Sequence, residues 1–193
     1  MLKRIWIWLV KLRGWKFDIP EGDHPEWYRC VMIMAPHTAA EDFFAGAAIP
    51  YLLHFNVRFL VKKEFFNFFT KPFLRWAGCL PVDRGNPRNN IVNQAVSYFN
   101  DHEKLTLLIT PEGTRKRVNR WKQGFYQIAT HANVPIVLTY MDYGTMHMGI
   151  GPTFYPTGDW DSDIKEIMSF YQDKTARHPE LFNKQANGYN NDK

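Results

Sequence analysis

A histidine and an aspartate stand five residues apart, at His37 and Asp42, after an apolar run at 31–35. The run is short, partly β-branched and bounded by Pro36, so it predicts a buried strand that leads through a loop into a helix. On such a loop the carboxylate can accept the imidazole Nδ1 proton, which leaves Nε2 free to take a proton from an alcohol. We interpret the pair as a general base with its orienting carboxylate. The alternative is that the two residues have a structural role only, at the capped start of a helix.

A second apolar run, at 107–109, also leads into a polar loop, which holds Glu112, Gly113 and Arg115. Pro111 ends the predicted strand, and glycine lets the backbone come close to a ligand. An arginine there can bind a phosphate through two hydrogen bonds, and Glu112 can hold that guanidinium or a substrate hydroxyl in place. We predict an anion-binding loop; the alternative is a tight turn with a surface ion pair.

A third strand-like run, at 79–82, leads into Asp83 and Arg84, so a second arginine follows a strand end. Two arginine loops of this kind can bind one anion together. A fourth run, at 134–140, carries a proline near its start, where a strand tolerates one, and we expect its role to be mainly structural.

With these segments in this order, the chain resembles the glycerophosphate and lysophosphatidate acyltransferase family of membrane-associated enzymes. Four blocks carry the resemblance: His-x4-Asp at 37–42, a block ending in arginine at 78–84, Pro-Glu-Gly-Thr-Arg at 111–115 and Val-Pro-Ile at 134–136. Pro36 and Ala39 differ from the asparagine and serine of the family's commonest form. The proline is similar to that of a branch of short bacterial relatives.

The resemblance implies that His37 takes the proton of an acceptor hydroxyl while Asp42 orients it, so that the alkoxide attacks an acyl thioester. It also implies a set of residues that bind the acceptor and its phosphate: Arg84, Glu112, Gly113, Thr114 and Arg115. The expected donor is acyl-CoA or acyl carrier protein, with no bound cofactor, no metal and no covalent acyl-enzyme. The acceptor is a lysophosphatidate-like glycerophospholipid precursor, and an aminoacyl lipid or another lipid hydroxyl stays open.

The elements that position these loops alternate along the chain. Strand-like runs lie near 31–35, 57–61, 79–82, 105–110 and 135–141, and helix-like stretches near 42–54, 64–76, 88–102 and 122–132, with one more after Gly158. This alternation predicts an α/β fold, a single-domain sandwich with a mostly parallel central sheet flanked by helices. The loops would then meet at the carboxyl ends of the strands, where open α/β sheets bind ligands.

The chain has 193 residues, of which 45% are hydrophobic, and this suffices for one core. Without an internal repeat or linker, residues 1–193 are predicted to form one acyltransferase domain with a loose tail at 183–193. Cys30 and Cys79 lie in apolar runs and are expected to be buried, reduced thiols. No metal site is predicted, because no cysteine pair has metal spacing and the histidines are scattered. Six histidines are interpreted as structural or surface groups: His24, His54, His102, His131, His147 and His178.

Two segments combine cations with aromatic residues, although no apolar stretch approaches the ~20 residues that a membrane-spanning helix needs. Residues 1–17 carry lysines, arginines and tryptophans with no acid, and residues 62–76 carry lysines among phenylalanines. We predict that 1–17 lies in the headgroup region of an anionic membrane and that 62–76 contacts the bilayer or forms a mouth for the acyl chain. Packing of both segments on the core is the alternative.

The net charge of +5 fits three partners: anionic lipid, an acidic acyl carrier protein and nucleic acid. Basic residues mixed with aromatics can bind nucleic acid, but here they are dispersed, and that function leaves His37 and Asp42 unexplained. We therefore expect no nucleic acid and predict a peripheral, monotopic enzyme on the cytoplasmic face of the membrane. A non-catalytic lipid-binding relative and a thioester hydrolase of the same fold are the alternatives.

Overall fold

A seven-stranded sheet forms the centre of the molecule in a computed structural model that describes residues 2–46, 48–49, 57–83 and 91–189. Its strands are β1 (Lys16–Asp18), β2 (Arg29–Ala35), β3 (Val57–Lys62), β4 (Cys79–Val82), β5 (Leu105–Ile109), β6 (Ile136–Asp142) and β7 (His147–Phe154). They lie in the order β1-β7-β6-β2-β5-β3-β4. β2 is therefore a central strand, and its six residues from Cys30 to Ala35 are buried because neighbours cover it on both sides and both faces.

The five strands from β2 to β6 are parallel to one another, whereas β7 is antiparallel to β6 and β1 is parallel to β7. We call the edge where the five parallel strands end the carboxyl edge. Since His147 at the start of β7 pairs with Asp142 at the end of β6, and Lys16 pairs with His147, β7 and β1 begin at this edge. The turn before β1 and the loops after β2, β3 and β5 therefore lie along the same edge.

Helices cover both faces of the sheet. They are α1 (Leu2–Leu12), α2 (Glu41–Gly46), α3 (Lys71–Trp76), α4 (Ile91–Asp101), α5 (Gly124–Ala132) and α6 (Trp160–Phe170). Residues of α4, α5 and α6 pack with Val31 and Ile33 of β2 in one hydrophobic cluster. Val10 of α1 packs with Met32 and Met34 in a second cluster. Because alternate residues of a strand point to opposite faces, β2 contributes to both clusters, and the predicted α/β sandwich with a mostly parallel sheet is confirmed.

The five predicted strands correspond to β2 through β6, but β1 and β7 were not predicted. β7 contains two glycines and a proline, Gly149, Gly151 and Pro152, and these residues weaken a strand pattern. The two glycines are needed here because a side chain would not fit: a Cβ on Gly149 would lie 2.2 Å from the Asp18 carbonyl oxygen, and one on Gly151 would lie 2.3 Å from Phe170 Cζ. β1 has only three residues, too few for a periodic pattern.

The predicted helix at 64–76 is wrong in its first half. Residues Lys63–Phe65 form a 3-10 turn, and α3 begins only at Lys71. The Asn67 side chain explains the break, because its Oδ1 accepts hydrogen bonds from the backbone N–H groups of Phe69 and Thr70, both at 3.0 Å. Pro72 then occupies the first turn of α3, where its missing N–H costs nothing.

The other predicted helices agree with the structure where it describes them. α4 and α5 match the predictions at 88–102 and 122–132, and α6 matches the pattern after Gly158. The prediction at 42–54 corresponds to α2, which begins at Glu41, and residues 48–49 are also helical. Residue 47 and residues 50–56 and 84–90 lie outside the described part of the chain, and so do His54 and Arg84.

The predicted loose tail at 183–193 is corrected by the packing of its first residues. Ala186 is fully buried, and the Asn183 Nδ2 donates to the Val118 carbonyl oxygen at 3.0 Å. The Asn187 N–H donates to the Asn119 carbonyl oxygen at 2.9 Å. Residues 183–189 therefore brace the segment that follows the 111–115 loop, and residues 190–193 lie outside the described chain.

No helix of the described residues combines the length and the apolar character that crossing a bilayer requires.

Candidate active site

Asp42 lies in the first turn of α2, and backbone and side-chain donors surround its carboxylate. Oδ2 accepts the N–H groups of Thr38 and Ala39, both at 2.8 Å, and Oδ1 accepts the hydroxyl of Tyr143 at 2.7 Å. The residue is fully buried. Burial by itself raises the pKa of Asp42, but the His37 side chain, the Tyr143 hydroxyl and the two N–H groups outweigh it and lower the pKa below the ordinary 3.8. Asp42 is therefore a buried anion that these donors stabilise.

The His37 ring lies beside this carboxylate, with Nδ1 3.3 Å from Asp42 Oδ2. The two atoms form an ion-pair contact, and Nδ1 makes no hydrogen bond of regular geometry within the described residues. The His37 side chain is 15% exposed and lines a cavity. One ring nitrogen thus lies against a buried anion, and the ring reaches a space that a substrate can enter.

Glu112 connects the loop after β5 to the loop after β2. Its Oε1 accepts the backbone N–H of His37 at 3.0 Å, whereas Oε2 is buried without a hydrogen-bond partner in the described part of the chain. Burial raises the pKa of Glu112 to about 8, and the negative charge of Asp42 adds to this effect. Near neutral pH the carboxyl group is therefore mostly protonated, and it holds His37 by a backbone contact.

The pKa of Glu112 predicts a pH dependence of stability. As the pH rises from about 4.5 to about 8, the unfolded chain ionises at Glu112 while the folded protein keeps the proton, so the free energy of unfolding falls by several kcal/mol. In the Glu112→Gln variant, which retains an oxygen for the His37 N–H, we expect this decline to disappear. Urea unfolding at pH 5 and pH 8.5 measures it, with the exposed Glu166→Gln as the matched control. An equal decline in Glu112→Gln and wild type would contradict the assignment.

Gly113 adopts a backbone conformation that favours glycine, with φ at +65°. A Cβ at this position would lie 2.8 Å from Lys122 Cδ and 3.2 Å from Lys122 Nζ. The loop is closed by the Lys122 N–H, which donates to the Pro111 carbonyl oxygen at 2.9 Å. The positive φ therefore favours glycine at this turn, and the flexible end of the Lys122 side chain brings an ammonium group next to the loop.

The site cavity, which His37 lines, has a volume of about 530 Å³. Its walls come from the ends of β2, β3 and β5 and from the starts of α4 and α5, and they are mainly apolar: Met34, Phe59, Leu60, Val61, Ile91, Val92, Leu108, Ile109, Phe125 and Ile128. His37, Thr110 and Lys122 supply the polar side chains of the lining. This combination of an apolar wall with a few polar groups is typical of a small-molecule site.

The remaining predicted site residues that the structure describes, Thr114 and Arg115, lie on the loop after β5 at the same edge. Thr114 is half-buried, and its Oγ1 accepts the Lys116 N–H at 3.3 Å, while the Arg115 side chain is exposed. Arg84 lies outside the described residues, but Asp83 just before it forms an ion pair with Lys63. No group of three or more histidine, cysteine or acidic residues within the described ranges has the geometry of a metal site.

Tyr143 was missed by the sequence analysis. The chain has nine tyrosines, and nothing in the pattern distinguishes the one that reaches Asp42. Its position depends on the turn between β6 and β7, and β7 itself was not predicted. One signal was available in the sequence, because Tyr143 follows the strand-like run at 134–140 by three residues. The end of that strand, β6, lies next to the end of β2, which leads to His37 and Asp42.

The fold and the site together define an α/β domain with a candidate general base beside an apolar cavity. A sequence profile of the acyltransferase family matches residues 24–141, more than half of the chain. The chain therefore belongs to the acyltransferase family and is an acyltransferase, as the four sequence blocks predicted.

The solved structures that are similar to this chain include the crystal structure of the 1-acyl-sn-glycerophosphate acyltransferase PlsC from Thermotoga maritima. The TM-score is 0.58, the identity is 15%, and the match covers 87% of this chain and 74% of that chain. At this identity the likeness concerns the fold. A comparison with curated protein sequences gives no match.

Proposed function

We propose that this acyltransferase moves a fatty acyl group from an acyl thioester to the hydroxyl of a lysophosphatidate-like glycerophospholipid precursor, a step of phospholipid biosynthesis. The observation that carries the proposal is the position of His37, which contacts the buried Asp42 anion and lines an apolar cavity. PlsC of Thermotoga maritima, which acts on 1-acyl-sn-glycerophosphate, shares the fold.

In the proposed reaction, His37 takes the proton of the acceptor hydroxyl as the oxygen attacks the thioester carbonyl carbon. The carbon–oxygen bond forms, the carbon–sulfur bond breaks, and the thiolate that leaves accepts the proton from His37. Asp42 stabilises the imidazolium that exists between these proton transfers, since its buried carboxylate stays charged. No metal, bound cofactor or acyl-enzyme is required by this sequence of steps.

The apolar wall of the site cavity supports an acyl-chain site. Phe59 and Val61 at the end of β3, together with Val92 of α4 and Phe125 of α5, offer contacts to a hydrocarbon chain beside His37. Burying such a chain releases about 25 cal/mol for each Å² of apolar surface removed from water. We propose that this contact holds the chain and brings the thioester carbonyl to the ring.

Cations at the carboxyl edge are proposed to bind the acceptor's phosphate. Lys122 lies against Gly113 in the cavity lining, and Arg115 is an exposed cation on the same loop as Gly113, so these two are the described candidates for an anion contact. Arg84 stays a predicted ligand, and Gly113 and Thr114 stay predicted contacts of the same loop. Glu112 is buried against the His37 backbone, and this position supports a role in holding the loop.

The acyl donor, acyl-CoA or acyl carrier protein, is proposed to approach the basic segment that follows the 111–115 loop. Arg117 in this segment is already engaged, because its guanidinium donates to the Glu180 carbonyl oxygen at 3.1 Å and to Asn183 Oδ1 at 3.2 Å. Arg120 is exposed and is the better candidate for a contact with an anionic donor.

A peripheral position on the cytoplasmic face of a membrane is proposed from two exposed apolar surfaces. On α1, Trp6 and Val10 pack inward, while four side chains are 45% to 62% exposed: Ile5, Trp8, Leu9 and Leu12. After β3, Phe68 and Phe69 are each 87% exposed and lie near Lys62, Lys63 and Lys71 in the sequence. Aromatic side chains next to lysines favour the interface of an anionic bilayer.

Both surfaces adjoin the carboxyl edge, because the end of α1 leads into β1 and the phenylalanines follow β3. A bilayer that contacted both would therefore face the site cavity, whose wall includes the end of β3.

The test is acyl transfer by purified protein in the presence of anionic or zwitterionic vesicles. Acyl-CoA and acyl carrier protein are offered with lysophosphatidate, glycerol-3-phosphate and an uncharged lipid alcohol, and sedimentation of the vesicles reports attachment. We expect transfer to lysophosphatidate and stronger attachment to anionic vesicles. Transfer only to the lipid alcohol would overturn the phosphate contacts, thioester loss without an acylated product would indicate a hydrolase, and no turnover would favour a non-catalytic relative.

A further inference from the structure

A second cavity of about 530 Å³ lies beneath α1. We call it the α1 cavity. Its apolar lining comes from α1 and the turn after it, from α2 and from the β6–β7 turn: Trp6, Leu9, Val10, Trp15, Ala45 and Met146. It shares no lining residue with the site cavity in the part of the chain that the structure describes. The volume is within the range of small-molecule sites, about 300 to 1,000 Å³.

The described lining of the α1 cavity contains more positive than negative side chains. Arg13 and Arg177 line it with exposed side chains, so their guanidinium groups lie towards its mouth, and Glu41 is the acid among the lining residues. Arginine binds phosphate and carboxylate groups through paired hydrogen bonds. An apolar space with two arginines at its mouth matches a molecule that has one hydrocarbon chain and an anionic headgroup.

Tyr143 links this cavity to the catalytic pair. It lines the α1 cavity, where its ring is edge-on to Trp15 with centroids 4.8 Å apart and lies 5.6 Å from the Arg177 guanidinium carbon. The hydroxyl of the same residue donates to Asp42 Oδ1 at 2.7 Å. A molecule in the α1 cavity would therefore contact the residue that holds the carboxylate next to His37.

We propose that the α1 cavity is a second lipid-binding site, which takes a single-chain amphiphile with a phosphate or carboxylate headgroup. The chain lies among Trp6, Val10 and Trp15, and Arg13 and Arg177 bind the headgroup. The site serves either the acceptor on its way to His37 or an amphiphile that is not consumed. Its position below α1 places its mouth next to the surface that we propose to contact the membrane.

Tryptophan fluorescence tests this proposal directly. The probe is dodecyl phosphate with a bromine on the chain, used below its micelle concentration, because it has neither a hydroxyl to accept an acyl group nor a thioester. Bromine quenches tryptophans that it contacts, and Trp6 and Trp15 line the α1 cavity whereas the described lining of the site cavity contains no tryptophan. The protein carries Trp8→Phe, since Trp8 is exposed on α1.

We expect saturable quenching, and we expect the dissociation constant to rise about tenfold or more when Arg13→Gln and Arg177→Gln are combined. Lys165→Gln, which removes an exposed cation of α6 outside the cavity, is the matched control and should leave binding unchanged. Ala45→Leu narrows the space without changing charge and should also weaken binding. Quenching that is absent, or equal in the double variant and the control, would overturn the proposal.

The same probe separates the two uses of the site and keeps this proposal distinct from that of acyl transfer. Competition between dodecyl phosphate and lysophosphatidate in the transfer assay, relieved in the double arginine variant, would assign the α1 cavity to the acceptor. Binding without competition would assign it to a molecule that is not consumed. Fluorescence measures binding to the α1 cavity without any acyl transfer. Binding can therefore be detected in a protein that transfers no acyl group, and transfer can be detected in a protein whose α1 cavity binds no amphiphile.

Discussion

The His37→Ala variant is expected to lose about 10²- to 10⁴-fold in kcat for acyl transfer and to keep its fold. The loss follows because His37 is the one histidine in the described lining of the site cavity, and no acidic side chain lines it, so no other imidazole or carboxylate there can take the proton. The fold should persist because Asp42 keeps its bonds to the Thr38 and Ala39 N–H groups and to the Tyr143 hydroxyl. The His37 backbone N–H also still donates to Glu112.

Steady-state kinetics and urea unfolding of the same preparation measure both halves of this expectation. His131→Ala removes an exposed histidine at the end of α5 and is the matched control, with activity and stability expected to equal those of the wild type. Turnover within a factor of ten of the wild type in folded His37→Ala protein would rule out His37 as the base.

Asp42→Asn is expected to lower kcat by about 10²-fold and the free energy of unfolding by about 1 to 3 kcal/mol. The amide oxygen can still accept the Thr38 and Ala39 N–H groups, and the Tyr143 hydroxyl can turn to accept from the amide nitrogen. The loop geometry is therefore largely kept, while the negative charge that stabilises a protonated His37 is lost. Asp42→Ala removes the acceptors as well and should destabilise the protein more.

The pH dependence of unfolding distinguishes the loss of charge from a loss of packing. The pKa of Asp42 is lower in the folded protein than its ordinary 3.8, so the ionised carboxylate stabilises the fold above about pH 4. This stabilisation disappears as the pH falls through the folded-state pKa. We expect Asp42→Asn to lack this acid-dependent loss, which urea titrations between pH 2.5 and pH 6 measure. A wild-type slope in the variant would show that Asp42 is not the group responsible.

The sequence patterns predicted the strands that position the site and missed those whose formation depends on distant contacts. β2 and β5 are short apolar runs followed by a proline or a polar loop, and such runs can be recognised locally. β7 contains glycines whose presence is explained by Asp18 and Phe170, which pack against them from distant parts of the sequence. The first half of the helix predicted at 64–76 is absent because the Asn67 side chain accepts two backbone hydrogen bonds there, and apolar periodicity does not reveal such bonds.

The sequence analysis named candidate site residues, but it did not predict most of the contacts between them. The spacing of His37 and Asp42 indicated their contact, and the structure brings them within 3.3 Å. Glu112 was predicted to face substrate, whereas its buried carboxyl group holds the His37 backbone. Tyr143 reaches Asp42 across 101 positions of sequence, and no local pattern encodes a contact of that length. The roles of these residues in acyl transfer are predictions, and the His37 and Asp42 variants described above test two of them.

The order of the strands has a consequence for the synthesis of the chain, which proceeds from the N-terminus. β2 lies between β5 and β6, and the contacts that hold its end join residues 75 positions apart, from His37 to Glu112, and 106 apart, from Ile33 to Thr139. The ribosome therefore completes the apolar strand that leads to His37 long before either neighbour exists. Until β5 and β6 emerge, that strand has no hydrogen-bonding partner, and the nascent chain is exposed to aggregation during this interval.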